Sequence, residues 1–582
     1  AVSFPEVEHL EEDHLYRSKV AGDDDLDRYL WGYVNRNGST VNPKFDYAIN
    51  LEKRFDGDLT LTLMLMGYLQ DFSVNPDHRA GISINGKQVA EASWDGFTNT
   101  EVEVVVLESD LQPGNNALEI TALLTGSTQD YFLIDWLEVG YEKVFKAESG
   151  QIEFSYAEPG EWKFVLTEFI HPSIQIFDIT DEESPKWLEN VLSTPDGGTN
   201  KAEFSDTITG TKDYFAVDES GFLSVEAIEA DNPSDLTLAS SGADYLMISH
   251  ADFLVSAAPL QAQKTAQGFN TVLIDVQDIY DEFGYGITDV YAIRDFIAYA
   301  YENSGSSYVL LIGDGHFDPK DNESFGRTSF IPPFLANIDP TIVETAADNR
   351  YVAVAGDDRL PDLTLGRLSV NTEAEVQAII SKIIAYENNP PEGDWKRQIL
   401  AVTDKLEPGA HYPLISESLL EDYFPSEPFH AEKVYWQWNY TDLAEANAAI
   451  ENEFNTGTFL VNYIGHGAFS FWGKYDYLFG TEDIPSLLPQ TKLPIIVAMT
   501  CMEGYYISPR PYPSLYEALA EVITRTDGKG AVASWSPTGW GSVNGHDFLD
   551  RGFFKAIYQD GTNIISQATN TFPEICGRIC PQ

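Results

Sequence analysis

From about residue 45 to residue 140, apolar side chains recur at every second position. Leu59, Leu61, Leu63 and Leu65 alternate with Thr60, Thr62 and Met64, the period of a strand with one buried face. Asn85-Gly86 separates the runs 82–84 and 87–89, a two-residue hairpin signal. Further strands are expected at 102–107, 117–123 and 132–139. Short strands divided by turn residues predict a jelly-roll-like β-sandwich over 1–143. Strand-like segments at 152–154 and 162–166 extend the pattern, so 144–238 reads as a second β module or linker domain. The turn signal Asp231-Asn232-Pro233-Ser234 closes it. Residues 1–40 are charged and weakly patterned, with Asp23-Asp24-Asp25 as a solvated loop.

From about residue 242 the period changes. Apolar runs at 245–249, 271–276 and 308–312 alternate with helical stretches at 260–267, ending at Gly268, and 288–302. Such alternation implies parallel strands joined by right-handed crossovers. Thr372 and Glu375 form a capping-box pattern, followed by Val376, Ile379, Ile380, Ile383 and Ile384 on one helical face. Asn388-Asn389-Pro390-Pro391 breaks that helix and marks a joint between a subdomain over 239–390 and another over 391–562. The second series has a strand at 399–403, helices at 414–423, 441–454 and 514–524, and a strand at 530–535. Residues 563–582 read as a tail. The expected fold class is therefore multidomain: N-terminal all-β sandwich modules, then an α/β domain of two subdomains with mainly parallel sheets.

Two buried-strand runs in the second series carry chemistry. The run 459–464 stops at Gly465-His466-Gly467, and 495–499 stops at Thr500-Cys501-Met502-Glu503-Gly504. As parallel neighbours they would present His466 and Cys501 at one carboxyl edge, where open α/β sheets bind ligands. A thiol and an imidazole there form a nucleophile with its base. A buried structural cysteine and a surface histidine are the alternative. In the catalytic case, Cys501 attacks a carbonyl as thiolate and His466 takes and returns the proton. The backbone N–H groups of Gly467 and Cys501 are the expected oxyanion donors. Asp314, His316 and Asp318 follow the 308–312 strand; they suit a structural calcium ion or, more simply, a polar turn. The chemistry requires no cofactor.

The motif Asn462-Tyr463-Ile464-Gly465-His466-Gly467 with Trp472 resembles the catalytic-histidine motif of gingipain-type cysteine peptidases, family C25. Leu493-Pro494-Ile495 leading to Cys501-Met502-Glu503-Gly504-Tyr505 is similar to the family's nucleophile motif. Ser514-Leu515 to Ala520, Gly530-Ala531-Val532-Ala533, and 348–367 also resemble it, so the likeness covers roughly 240–560. The resemblance implies a caspase-haemoglobinase architecture and a secreted cysteine endopeptidase acting on protein or peptide. It implies an acidic residue that orients His466: Asp404 first, Glu407 second. Trp540 resembles the family's S1-wall tryptophan, with core packing as the alternative; Glu503, two residues after the nucleophile, is placed either to meet a basic P1 side chain or to face solvent, and Trp472 is the third expected substrate-binding residue. The acid of Arg-specific relatives has no counterpart near Gly409-Ala410-His411. An inhibitory β prodomain is implied too; separately, Arg17, Lys19 and Arg28, basic residues in an acidic and loosely patterned segment, are the expected processing points. The alternatives are a transpeptidase or sortase with the same dyad, and a non-catalytic carbohydrate- or surface-binding protein.

Composition narrows the partners. The chain has 582 residues with 92 acidic against 35 basic side chains, a net charge of -57. Nucleic acid and anionic lipid both need basic footprints and are disfavoured, whereas a salty extracellular medium would screen the self-repulsion. No apolar run approaches the ~20 residues of a membrane span. Residues 1–20 lack the charged and apolar regions of a signal peptide. Three cysteines are too few for a disulfide scaffold, although Cys576 and Cys580 are close enough in sequence to pair. No Gly-x-Ser-x-Gly elbow supports a serine hydrolase.

Overall fold

The computed structural model describes residues 1–570 other than 21–26, 38–41, 125, 127, 226, 229, 231–232, 425–426 and 510–516. The Asp23-Asp24-Asp25 loop, the Asp231-Asn232 turn, the Ser514-Leu515 motif with the start of its expected helix, and Cys576 and Cys580 lie outside the described residues. The chain divides into two compact units, Ala1–Asp231 and Asn232–Gln582. No helix among the described residues is long and apolar enough to cross a membrane.

The first unit is built from antiparallel sheets. One contains Ser3–Glu11, Gln129–Val144, Leu59–Gly67 and Asn99–Val106, with Gly32–Asn37 also paired to Gln129–Val144. The facing sheet contains Lys44–Asn50, Asn115–Ala122, His78–Ile84 and Lys87–Trp94. The alternating leucines do what their period requires: Leu59, Leu61, Leu63 and Leu65 are buried while Thr60, Thr62 and Met64 are half-buried. Asn85 and Gly86 both take positive φ, 51° and 78°, as a tight hairpin needs. A second pair of smaller sheets closes around Phe154, Phe164, Phe204 and Tyr214.

The second unit holds two parallel sheets. The first runs in the order Thr271–Asp275, Tyr245–Ser249, Tyr308–Ile312, Thr364–Leu368. The second runs His430–Tyr435, Gln398–Thr403, Leu460–Ile464, Ile495–Met499, Ala533–Trp535. Each is covered on both faces, which is why its central strands read as unbroken apolar runs. This is the expected caspase-like arrangement. The helix Glu373–Asn388 begins with the expected capping box, Thr372 accepting from the Glu375 N–H and Glu375 accepting in return. On that helix, buried Lys382 donates from Nζ to the carbonyls of Thr524, Thr526, Lys529 and Ala531, stitching the first sheet's layer to the second's.

Several elements differ from expectation. The helix expected from 260 starts at Leu254, and Val276–Phe283 forms a further helix. The edge strand His430–Tyr435, the hairpin Leu335–Asp339 with Val343–Ala346, and the helix Val543–Tyr558 carry no clear sequence pattern. The segment expected as a tail includes the helix Ile565–Thr569, held by burial of Ala568 against the second sheet's core.

Candidate active site

The strands ending before His466 and Cys501 are parallel neighbours, with Ile464 opposite Met499. Each candidate therefore lies two residues beyond the same register line at the carboxyl edge. The two loops pack directly on one another. A Cβ on Gly467 would fall 2.3 Å from Thr500 Oγ1 and 3.3 Å from the Cys501 carbonyl oxygen, so only glycine permits this approach. Cys501 is a free, half-buried thiol. Among the described residues, the backbone N–H groups of Gly467 and Cys501 have no protein acceptor, which is the condition an oxyanion donor must meet before substrate arrives. Met502 holds the left-handed φ of 59°, an uncommon conformation for a non-glycine residue, and donates its N–H to the Gly539 carbonyl at 2.9 Å.

His466 has two polar neighbours on Nε2: Glu407 Oε2 at 3.3 Å and the Tyr412 hydroxyl at 3.4 Å. A carboxylate accepting from Nε2–H fixes the tautomer with its lone pair on Nδ1, and Nδ1 has no protein partner among the described residues. Burial alone would raise the Glu407 carboxyl, but the His466 bond and the Lys474 and Lys405 charges outweigh it and hold it below its ordinary value. The expected order of the two acids is thus reversed in contact. Asp404 is buried; one oxygen accepts the Lys405 N–H at 2.7 Å and Oδ2 has no hydrogen-bond partner. Burial raises its carboxyl, partly offset by that N–H and by His466. It acts on the imidazole through charge, while Glu407 touches it.

Burial likewise raises the Cys501 thiol, and the Asp339 charge adds to this; the S–H donates to the Gly541 carbonyl oxygen at 3.9 Å. The resting group is a thiol. It needs a base rather than an environment that ionises it spontaneously. Tyr412 packs edge-on against the His466 ring, and burial pushes its phenol up to about 12, with Asp404, Glu407 and Cys501 adding to the shift.

Two expectations need correction. Glu503 and Trp472 are fully buried and meet each other rather than substrate: Trp472 Nε1 donates to Glu503 Oε2 at 2.6 Å, and Ser536 Oγ donates to Oε1 at 3.3 Å. Trp472 follows the histidine and Glu503 follows the cysteine, so the bond ties the two loops beneath the site. A carboxylate so enclosed cannot receive a basic P1 side chain. Asp314, His316 and Asp318 are taken up by protein: Asp314 accepts from Asn371 at 2.9 Å, His316 Nε2 meets the Arg327 carbonyl at 3.1 Å, and Asp318 accepts two backbone N–H groups at 2.8 Å. They hold the polar turn that was the simpler expectation. Trp540, by contrast, is exposed.

Residues that sequence reasoning passed over position the 536–541 loop beside Cys501. Asp339, buried at the end of its hairpin strand, accepts the N–H groups of Thr341, Ile342 and Trp540. Thr345 donates to the Thr538 carbonyl at 2.6 Å, and Thr538 Oγ1 donates to the Ala346 carbonyl at 2.8 Å. Buried His546 packs on Gly541, leaving no room for a Cβ there. The Asp339-Pro340 dipeptide was an available turn signal; nothing local pointed to Tyr412 or His546.

Comparison with known proteins identifies the family. The profile of Peptidase family C25 matches residues 238–574. Gingipain R2 of Porphyromonas gingivalis is 30% identical over 278 residues, covering 44% of this chain and 33% of its own length. Lys-gingipain W83 of that species is 25% identical over 299 residues, covering 50% of this chain and 15% of its own length. The chain thus spans a third or less of the length of these curated relatives. The crystal structure of dimeric latent PorU from Porphyromonas gingivalis matches with a TM-score of 0.53 at 17% identity, covering 68% of this chain and 39% of that one, a likeness of fold alone. The profile match takes in more than half of the chain, both catalytic loops and the acids behind His466, and the chain belongs to Peptidase family C25.

Proposed function

We propose that the chain is a secreted cysteine endopeptidase. The observation that carries this is the paired register of Ile464 and Met499, which sets His466 and Cys501 at one sheet edge with Gly467 seated on the nucleophile loop. His466 Nδ1 takes the Cys501 proton, and the thiolate adds to the scissile carbonyl. The N–H groups of Gly467 and Cys501 receive the oxyanion, a contact worth about 3 kcal/mol per donor in comparable sites. Imidazolium then protonates the leaving amine, and water resolves the thioester at Cys501. Glu407 holds the imidazole and steadies its charge. Trp540, exposed on a loop anchored by Asp339, is the residue offered to a substrate side chain.

An electrophilic peptide probe tests the reading. Labelling of the wild type, lost in both Cys501→Ala and His466→Ala, supports it; labelling that survives Cys501→Ala overturns the choice of nucleophile. Product analysis with an added amine separates hydrolysis from transpeptidation, since either nucleophile can resolve the same thioester. The N-terminal β unit is proposed as a prodomain. Of the three expected processing points, Lys19 is exposed whereas Arg28 is buried, so Lys19 is the accessible one. N-terminal sequencing of active enzyme that found an intact chain would refute processing.

A further inference from the structure

The N-terminal β unit carries an unexplained cluster of acids. Ligand oxygens of Glu11, Asp13 and Asp27 all lie within 4.8 Å of one another. They come from three places: the end of the Ser3–Glu11 strand, the loop after it, and the segment leading into the strand Tyr29–Leu30. Exposed acids alone would signify little. A fourth carboxylate changes the picture. Asp135 is only 7% exposed, and its Oδ1 is buried without a hydrogen-bond partner. It sits next to Trp136, the strand partner of Glu11, and so lies beside the cluster's first member.

Backbone geometry explains how it comes to do so. In the pairing of Gln129–Val144 with Leu59–Gly67, Ile134 lies opposite Leu65 and Leu137 opposite Leu63. Asp135 and Trp136 therefore share the single partner Met64, a β-bulge, and bulges re-aim side chains. Across the other edge Glu11 pairs with Trp136, which sets the Glu11 side chain next to the bulge. An unpartnered buried carboxylate is costly unless something positive completes it. His9 bonds Glu11 Oε2 at 3.0 Å and Glu138 at 3.3 Å from its two ring nitrogens, leaving neither nitrogen free.

We propose that Glu11, Asp13, Asp27 and Asp135 form a calcium site. Four carboxylates with no sulfur or free imidazole donor suit a hard cation. Donors converging from two strands and two irregular segments suit the irregular six- to eight-oxygen shell of calcium better than the strict octahedron of magnesium. The ion would staple the first thirty residues to the longest strand of the sandwich.

Calcium titration of the EDTA-treated full chain by calorimetry tests the proposal, with Asp135→Asn and Asp27→Asn alongside. The wild type is expected to bind calcium, and each variant to lose one equivalent or bind it at least tenfold more weakly. Asp27 is exposed, so its replacement keeps the test valid if Asp135→Asn fails to fold. The proposal is overturned if the wild type binds no calcium, or if folded variants bind the same number of ions with unchanged affinity.

Discussion

Replacing Glu503 with Gln isolates the buried link between the two catalytic loops. The wild-type carboxyl is fully enclosed, and burial pushes it from its ordinary 4.5 up to about 7 despite the Trp472 and Ser536 bonds. Between those two pH values the folded chain holds a proton that the unfolded chain has released. The contribution to stability is therefore complete below pH 4.5 and is lost as the pH rises through about 7. A shift of about 2.5 units corresponds to roughly 3 kcal/mol. Gln has nearly the same shape, accepts from Trp472, can donate to Ser536, and does not titrate. Wild type and Glu503→Gln should consequently melt close together at pH 4.5. At pH 8 the variant should be more stable by about 3 kcal/mol, a difference of roughly 5 °C for a unit of this size. Scanning calorimetry at the two pH values measures the offset. An equal offset at both would refute the argument, because it would mean that Glu503 enters the fold already ionised.

Four further outcomes follow from the contacts described. Glu407→Gln should lower kcat/KM at least tenfold, since the acid that fixes a catalytic imidazole's tautomer is costly to neutralise, while Asp404→Asn should change it far less; steady-state kinetics on both variants decides between the two acids. Gly467→Ala should lower kcat about a hundredfold, a displacement near 1 Å being enough, with thermal unfolding showing the chain still folded. Asp339→Ala orphans three backbone N–H groups and should cut the labelling rate of Cys501 by an electrophile, although Asp339 itself never meets substrate. Thr372→Ala removes half of the capping box and should cost ~1 kcal/mol in denaturant unfolding with unaltered kinetics.

The elements legible in the sequence were those whose determinants lie within a few residues. Tyr308–Ile312 and Ile495–Met499 are buried on both faces and stand out as apolar runs; Thr372 and Glu375 announce a helix start three positions apart. The elements missed are stabilised from far away. His430–Tyr435 is an edge strand with its first half exposed, so it shows no apolar run. Val543–Tyr558 buries His546, Asp550 and Gly552, which disguises its apolar stripe. The candidate site divides the same way. His466 and Cys501 were readable because each ends a strand. The direction in which Glu503 points was not, because the group that claims it is Trp472, 31 positions earlier in the chain. The choice between Asp404 and Glu407 likewise depended on how the turn after Thr403 folds back toward the imidazole.

The hairpin that ends at Asp339 belongs to the first half of the catalytic unit, yet it braces the loop on which the nucleophile of the second half leans. Every atom proposed to react lies after the Asn389-Pro390 joint, but the strut that sets the 536–541 loop lies before it. A break at that joint would leave two pieces, one with all the chemistry and one with the scaffold that aligns it. Turnover would then register their reunion, making this family member a natural candidate for a split reporter whose signal depends on complementation rather than on either piece alone.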